Sequence, residues 1–232
     1  MSKDKETIVI TENGPYAVPD GIRCNNASLV CDEGGVSESW QVRGDYDTGS
    51  EETYYLCRCG HSRKKPFCDA SHEKTGFRGR EKPERFGYED RAERYRGPGL
   101  DLLDDKSLCV VARFCDKGDS IWNMVARSDD PTVRETVIRE ACDCPGGRLT
   151  AVARDGRRIE PDLPREISLV NDPSRNMRGP LWVKGGIPVR DAAGRQYEER
   201  NRVALCRCGE SRNMPFCDAT HYQCPHMEGQ DE

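Results

Sequence analysis

The sequence predicts a small α+β protein, β-weighted and loop-rich, in which two copies of one unit flank a third. Three observations carry this expectation: a repeated cysteine-containing segment, short apolar runs between glycine turns, and a low content of large apolar residues. Leu, Ile, Val and Phe make up 39 of 232 residues, and so small an apolar content is typical of a thin core. The 13 cysteines are therefore expected to help hold the fold together.

Charge and hydropathy argue against two classes of partner. Acidic residues outnumber basic ones by 41 to 36, whereas a nucleic-acid binder needs a clustered basic surplus. No run of 18 apolar residues occurs, and the segment from Met1 to Glu6 lacks the apolar stretch of a signal peptide. We therefore expect a cytoplasmic protein that binds neither nucleic acid nor membrane. In that reducing compartment, cysteines are more often metal ligands than disulfides.

An internal repeat sets the expected domain order. Residues 57–72 and 206–221 are identical at 12 of 16 positions, with an offset of 149. Upstream, a Gly-Pro-x-x-Val-x-x-Gly-Ile pattern starting at Gly14 recurs at Gly179 with an offset of 165, so the first copy carries 16 extra residues. We expect the following segments: a first repeat at 1–80, a charged linker at 81–100, a third unit at 101–160 and a second repeat at 161–232.

The third unit and the second repeat contain the clearest secondary-structure signals. Asp130 and Pro131 are a typical N-cap and first residue of a helix, and apolar residues then recur at helical spacing until Gly146. Short strands are expected on either side of glycine turns, at Leu149 to Ala153, Glu166 to Val170, Leu181 to Val183 and Ile187 to Val189.

Each repeat carries the pattern Cys-x-Cys-x8-Cys-x3-His. Residues two apart on an extended strand point the same way, and residues four apart share a helix face. Each copy can therefore bring two ligand pairs to one centre, and the ligands are Cys57, Cys59, Cys68 and His72 in the first and Cys206, Cys208, Cys217 and His221 in the second. Three thiolates and one imidazole suit either zinc or an iron–sulfur cluster. The spacing favours a cluster, because structural zinc sites mostly place two to four residues between paired ligands.

Both segments resemble the CDGSH iron–sulfur domain family. Its signature is Cys-x-Cys-x2-Ser/Thr-x3-Pro-x-Cys-Asp-Gly-Ser/Ala/Thr-His. The resemblance implies two β-cap, cluster-binding domains, each with one 2Fe-2S cluster held by the two cysteine and histidine sets named above. Ala70 and Ala219 replace the family glycine, which leads us to expect no left-handed backbone at these two positions. The family's dimers also imply that this chain forms an internal pseudo-two-fold pair and is a monomer.

The middle unit has a second cysteine pattern, Cys109-x5-Cys115 followed by Cys142-x-Cys144-Pro145. It resembles the divergent single-cluster ferredoxin family, which implies a ferredoxin-like insert. By this resemblance Cys109, Cys115 and Cys144 bind a third cluster, 3Fe-4S or 4Fe-4S, with Cys142 as a candidate fourth ligand. The alternative is a degenerate domain whose cysteines are buried as small apolar residues.

These patterns predict an iron–sulfur protein that acts in electron transfer, redox sensing or cluster transfer, with a redox partner protein or an apo-acceptor. Two alternatives stay open: a zinc-stapled structural or interaction module, and an electron-donating component of an oxidoreductase. No complete hydrolase, zincin or nucleotide-binding signature occurs, so we expect no enzyme activity. Cys24, Cys31 and Cys224 match no pattern and are expected to be structural or incidental thiols.

Overall fold

A computed structural model describes residues 6–80 and 87–231, and these form a β-rich α+β protein with three sheets and a few short helices. The first repeat contains β1 (Ile8–Ile10), β2 (Tyr16–Pro19), β3 (Arg23–Cys31), β4 (Ser37–Asp45), β5 (Thr53–Leu56) and α1 (Ser71–Thr75). The middle unit contains α2 (Tyr88–Arg91), β6 (Glu93–Arg96), β7 (Leu100–Asp104), α3 (Ile121–Val125), α4 (Pro131–Cys142), β8 (Leu149–Ala153) and β9 (Arg158–Ile159). The second repeat contains β10 (Glu166–Asp172), β11 (Met177–Lys184), β12 (Val189–Arg190) and β13 (Arg202–Leu205).

The two repeats exchange strands. One sheet has the order β12-β1-β2-β5 and the other β13-β11-β10-β3-β4. In the first, β1 runs parallel to β12 with Ile8 opposite Val189, and in the second, β10 runs parallel to β3 with Ile167 opposite Cys24. Because Cys24 and Val189 are equivalent at the repeat offset of 165, each repeat lends the same strand to the other's sheet.

One hydrophobic core lies between these two sheets. Its buried residues come from strands of both repeats in nearly equal number, and include Ile8, Ile10, Tyr16, Val18, Leu56, Ile167, Leu169, Leu181, Val183 and Leu205. Shared burial of this kind stabilises both repeats together, because neither sheet covers its apolar face alone.

The middle unit forms its own antiparallel sheet, in the order β6-β7-β8-β9. The residues of α3 and α4 pack on it around buried Leu102, Ile121 and Val137. The predicted start of α4 is confirmed, since the Asp130 carboxylate accepts the amide hydrogen of Thr132 at 2.8 Å. No helix in the described part of the chain is long and apolar enough to cross a membrane.

Two expected elements differ in the structure, the linker and one short strand. Part of the expected linker, 81–100, is structured: Tyr88 is fully buried in α2, and its hydroxyl donates to the Arg148 carbonyl at 2.8 Å. The sequence of β6 is mostly charged, and this is compatible with a strand because an edge strand needs few apolar residues. Residues 81–86 of the expected linker lie outside the described residues. The strand expected at Ile187 to Val189 is shifted to Val189–Arg190.

A buried ion pair joins the repeats at the centre of the second sheet. Glu166 on β10 pairs with Lys184 on β11, and both side chains are at most 5% exposed. The other carboxylate oxygen of Glu166 pairs with Arg23, on β3 of the first repeat, at 3.0 Å. Burial is the largest single influence and raises the pKa of Glu166, but the hydrogen bond and charge of Lys184, with smaller contributions from Asn25 and Arg23, together lower it below its usual value.

Lys184→Met is expected to lower the free energy of unfolding by about 3–5 kcal/mol, because it leaves the Glu166 carboxylate buried without its main partner. Denaturant unfolding at pH 7 measures the loss. Because the folded pKa of Glu166 is lowered, the pair stabilises above the unfolded pKa of about 4.3, and this stability is lost as pH falls through the lower folded value.

The double variant Lys184→Met with Glu166→Leu serves as the control and should recover most of the stability, since it removes the buried carboxylate as well. Equal stability of Lys184→Met and the parent would contradict this account of the pair.

Candidate metal centres

In the first repeat, the four predicted ligands stand as two pairs. The Sγ atoms of Cys57 and Cys59 are 3.8 Å apart, and Cys68 Sγ lies 3.5 Å from His72 Nδ1. A tetrahedral metal with bonds of about 2.3 Å to sulfur separates two sulfur ligands by about 3.7 Å. Each pair is therefore spaced as two ligands of one metal ion.

The second repeat reproduces this arrangement. Cys206 Sγ and Cys208 Sγ are 3.5 Å apart, and Cys217 Sγ lies 3.4 Å from His221 Nδ1. Within residues 6–80 and 87–231, no three His, Cys, Asp or Glu side chains meet as for a single metal ion. The ligands are thus grouped in twos in both repeats.

A short backbone bridge brings the two pairs of each repeat together. The Cys57 amide donates to the Pro66 carbonyl at 2.8 Å, and the Cys68 amide donates to the Tyr55 carbonyl at 2.8 Å. In the second repeat the amides of Cys206 and Cys217 make the same two bonds, to Pro215 and Ala204, at 2.8 Å. The end of the last strand of each repeat therefore positions all four ligands.

The aspartate of each motif organises the turn between the ligands. Asp69 accepts the amide hydrogens of Arg63 and Ser71 at 2.9 and 3.0 Å. Asp218 does the same in the second repeat, with Arg212 at 2.9 Å and Thr220 at 3.1 Å. The carboxylate thus joins the loop before the third cysteine to the turn that carries the histidine.

The expectation for the alanine after this aspartate is wrong. Ala70 has a φ of 64° and Ala219 a φ of 67°, so both adopt the left-handed conformation. The conformation places the following turn so that the histidine faces the cysteine, and this tertiary requirement outweighs the preference of alanine for negative φ.

Hydrogen bonding favours the thiolate of one cysteine in each site. The contact with the Cys59 thiol, helped by the amides of Ser62 and Gly60 and opposed by burial, lowers the pKa of Cys57 to about 6. The equivalent contacts lower the pKa of Cys206 to about 7. The same contact, together with burial, raises the pKa of the other cysteine of each pair, Cys59 and Cys208. Thiolate is the form that binds metals, and the contact favours one thiolate in each of these cysteine pairs.

A buried arginine lies between the two cysteines of each pair. Arg58 donates to the carbonyl oxygens of Thr11 and Gly79 at 3.1 and 2.9 Å. Arg207 donates to Gly179 at 2.6 Å and also pairs with the Asp231 carboxylate. These guanidinium groups fix the ligand loops to neighbouring segments, and Arg207 also interacts electrostatically with the Cys57 thiol. Nothing in the sequence marks this role of the two arginines, because the carbonyl groups that they bind lie far away in the chain.

The two ligand loops contact each other. A Cβ atom at Gly60 would come within 2.7 Å of the Cys208 carbonyl, and one at Gly209 within 2.6 Å of the Cys59 carbonyl. Both glycines also have positive φ, 81° and 83°, so only glycine fits. This reciprocal contact places the first two sites side by side. The imidazole ring of His226 adds to this contact by stacking on that of His61, with 4.4 Å between the ring centroids.

The two sites differ in exposure. Cys68 and His72 are partly exposed, whereas Cys217 and His221 are almost completely buried. The middle unit accounts for the difference, because Phe114 belongs to the cluster of apolar side chains that includes Cys217. Burial lowers the pKa of His221 to about 4, which keeps its imidazole neutral and able to bind a metal.

Three cysteines of the middle unit line one cavity of about 210 Å³. They are Cys109, Cys115 and Cys144, whereas Cys142 does not line it. Arg148 faces the same cavity, and its Nη1 donates to Cys109 Sγ at 3.2 Å. The cavity therefore offers three thiols and one guanidinium.

The loop between Cys109 and Cys115 has an unusual backbone. Val111 and Arg113 have φ values of 57° and 64°, and a positive φ is rare for a β-branched residue. Residues between and beside them keep negative φ. Alternation of this kind turns amide groups toward one side and forms a concavity for anions, iron–sulfur clusters included.

Arg148 is held by a network of its own. It makes two bonds to the Asp104 carboxylate, at 2.6 and 2.8 Å, and lies over the Trp122 ring at 5.1 Å from its centroid. The Trp122 indole donates to the same carboxylate at 3.0 Å. Because Asp104 is fully buried, the guanidinium is fixed toward Cys109.

Comparison with protein families assigns these segments. The family described as "Iron-binding zinc finger CDGSH type" matches residues 13–73 and 178–222. The two repeats are CDGSH-type segments. The family described as "Divergent 4Fe-4S mono-cluster" matches residues 95–154, between the CDGSH segments. These matches identify an iron–sulfur protein. Neither a curated protein nor a solved structure matches the chain significantly.

The unassigned cysteines have three different surroundings. Cys24 lies in the core between the sheets, and Cys31 accepts a hydrogen bond from Arg113 at 3.4 Å. Cys224 packs against Cys206 and Cys208 near the second CDGSH site. It is not part of the repeated pattern, so the sequence gives no signal for this position.

Ala219→Gly is expected to raise the free energy of unfolding by roughly 1 kcal/mol, because glycine adopts a positive φ without steric cost. Denaturant unfolding of the metal-loaded protein measures the gain. Ala141→Gly, in the interior of α4, is the matched control and should destabilise by at least about 1 kcal/mol. A loss of stability in both variants would contradict the left-handed conformation at Ala219.

Proposed function

We propose that this chain is an electron-transfer protein with two 2Fe-2S clusters in its CDGSH segments and a third cluster in its middle unit. The ligands would be Cys57, Cys59, Cys68 and His72 in the first site, Cys206, Cys208, Cys217 and His221 in the second, and Cys109, Cys115 and Cys144 in the third. The observation that carries the proposal is the contact between neighbouring sites, across Gly60 and Gly209 and across Phe114.

The grouping of the ligands supports a cluster over a single zinc ion. A 2Fe-2S cluster takes two protein ligands on each of its two irons, and each repeat offers two pairs at 3.4–3.8 Å. When bound, such a cluster supplies a one-electron couple. With a single histidine, its potential should lie between about −400 mV for plant-type ferredoxins and the Rieske range of about −150 to +300 mV.

The chain's own residues would tune these sites. Arg58 and Arg207 are buried and fix the loops that carry the cysteine pairs, and Phe114 helps exclude water from Cys217. In the third site, Arg148 lines the cavity beside three cysteines and donates to Cys109 Sγ, whereas Cys142 is not among the lining residues. This supports a cluster held by three cysteines, without Cys142.

The strand exchange supports a monomer with an internal pseudo-two-fold. Each repeat already receives a parallel strand from the other, which a dimer would otherwise have to supply between subunits. We propose further that the protein is cytoplasmic, turns over no substrate of its own and acts with a redox partner protein.

Cluster transfer to an apo-acceptor is a second candidate function. The partial exposure of Cys68 and His72 favours it, because an acceptor thiol must reach the ligands. A donor would lose its cluster to an apo-ferredoxin, whereas an electron carrier would retain it through redox cycles.

Anaerobically purified protein is expected to contain about seven or eight iron ions per chain, and charge-transfer bands that dithionite bleaches with an EPR signal. Cys144→Ser should reduce the iron content to about four, because it removes a ligand of the third site. The matched control, Cys142→Ser, should keep the full content, since Cys142 does not line that cavity. A colourless protein containing zinc would overturn the proposed function.

His72→Cys and His221→Cys are each expected to make the respective cluster more resistant to acid. Protonation of an imidazole, with an ordinary pKa of ~6.5, removes the lone pair that binds the metal, whereas a bound thiolate protonates less readily. Loss of visible absorption on lowering the pH measures this. Equal acid lability of the variants and the parent would contradict a histidine ligand.

A further inference from the structure

The two CDGSH sites carry the same ligands but different charge. Residues 63–80 contain six basic residues (Lys or Arg) and two acidic ones (Asp or Glu). The equivalent residues 212–229 contain one basic residue and two acidic ones. The surplus of the first segment is notable in a chain of net charge −5. We call the basic side chains of this segment the first-site basic patch, and they are Arg63, Lys64, Lys65, Lys74, Arg78 and Arg80.

Part of the first-site basic patch lies beside the partly exposed residues Cys68 and His72. The Arg63 amide is bonded to Asp69, the residue next to Cys68, and Lys74 lies in the same short helix as His72. The side chains of Arg63 and Lys74 are exposed. Glu73 is the acidic residue that α1 adds to this surface.

The second repeat shows what occupies the equivalent face. Asn213, at the position of Lys64, donates to the Ser107 carbonyl of the middle unit at 2.8 Å. Met214, at the position of Lys65, is buried beside Met177, Cys224 and Met227, whereas Phe114 of the middle unit belongs to the apolar cluster around Cys217. In the second repeat, this face of the CDGSH segment is therefore covered by the chain's own 4Fe-4S-type unit.

We infer that the equivalent face of the first repeat is the docking surface for a separate, acidic one-electron protein. This inference rests on the proposed function. The first repeat has Lys64 and Lys65 where the second has Asn213 and Met214. No described segment buries Cys68 and His72 in the first repeat. A basic face on an acidic protein attracts an acidic partner and orients it, which raises the rate of association.

The redox step at this surface transfers one electron and no atoms. The reduced partner loses one electron, and the first site gains it. A partner that approaches the partly exposed side of Cys68 and His72 comes closer to the first site than to the buried second site. Reduced plant-type ferredoxin is a suitable probe, because it is an acidic one-electron protein with a potential near −400 mV.

The test compares Arg63→Glu with its repeat equivalent, Arg212→Glu, in the full, cluster-loaded chain. Both side chains are exposed, and both backbone amides bind the motif aspartate. Stopped-flow reduction by ferredoxin at low ionic strength should be about tenfold slower for Arg63→Glu and unchanged for Arg212→Glu. Added salt should lower the rate at which ferredoxin reduces the parent protein and should have little effect on the rate for Arg63→Glu.

Reduction by dithionite, followed by visible absorption, checks that every variant holds reducible clusters. Three results would overturn the docking surface while leaving the proposed function intact: a parent that dithionite reduces and ferredoxin does not, equal rates for the parent and Arg63→Glu, or equal slowing in both variants. Absence of dithionite-reducible absorption from the parent would instead overturn the proposed function.

Discussion

Parallel pairing between the repeats, with β1 against β12 and β3 against β10, is the constraint on which the rest of the structure depends. Because each sheet needs a strand from the other repeat, the two sheets share one core and cannot separate. The ends of β5 and β13 then carry both cysteine pairs to the same place. The close approach at Gly60 and Gly209 follows from this geometry, and it excludes any side chain there.

The insertion of a third unit breaks this near symmetry. It follows the first repeat in the chain and packs against the second, so that one CDGSH site is buried by apolar residues and the other stays partly open. Identical ligands thus meet different dielectric surroundings. His221 is buried and its pKa is lowered, whereas the equivalent His72 is partly exposed, and this difference comes from the neighbouring segments.

Buried arginines offset the thinness of the core. Arg58, Arg207 and Arg148 each bind backbone carbonyls or a buried carboxylate beside a group of cysteines. A buried charge is tolerated only when it is paired and hydrogen-bonded. These side chains therefore connect stability with the sites, because each guanidinium fixes a segment that carries cysteines, and Arg148 also donates to Cys109 Sγ.

The sequence by itself determined the repeat, the ligand candidates and the helix capped by Asp130, because spacing and local capping chemistry are encoded in neighbouring residues. It also predicted that three cysteines of the middle unit belong together. Only the tertiary structure decided the exchange of strands, the exclusion of Cys142 from the cavity and the left-handed conformation of Ala70. These features depend on contacts between segments far apart in the chain, where a local preference such as that of alanine is outweighed by packing.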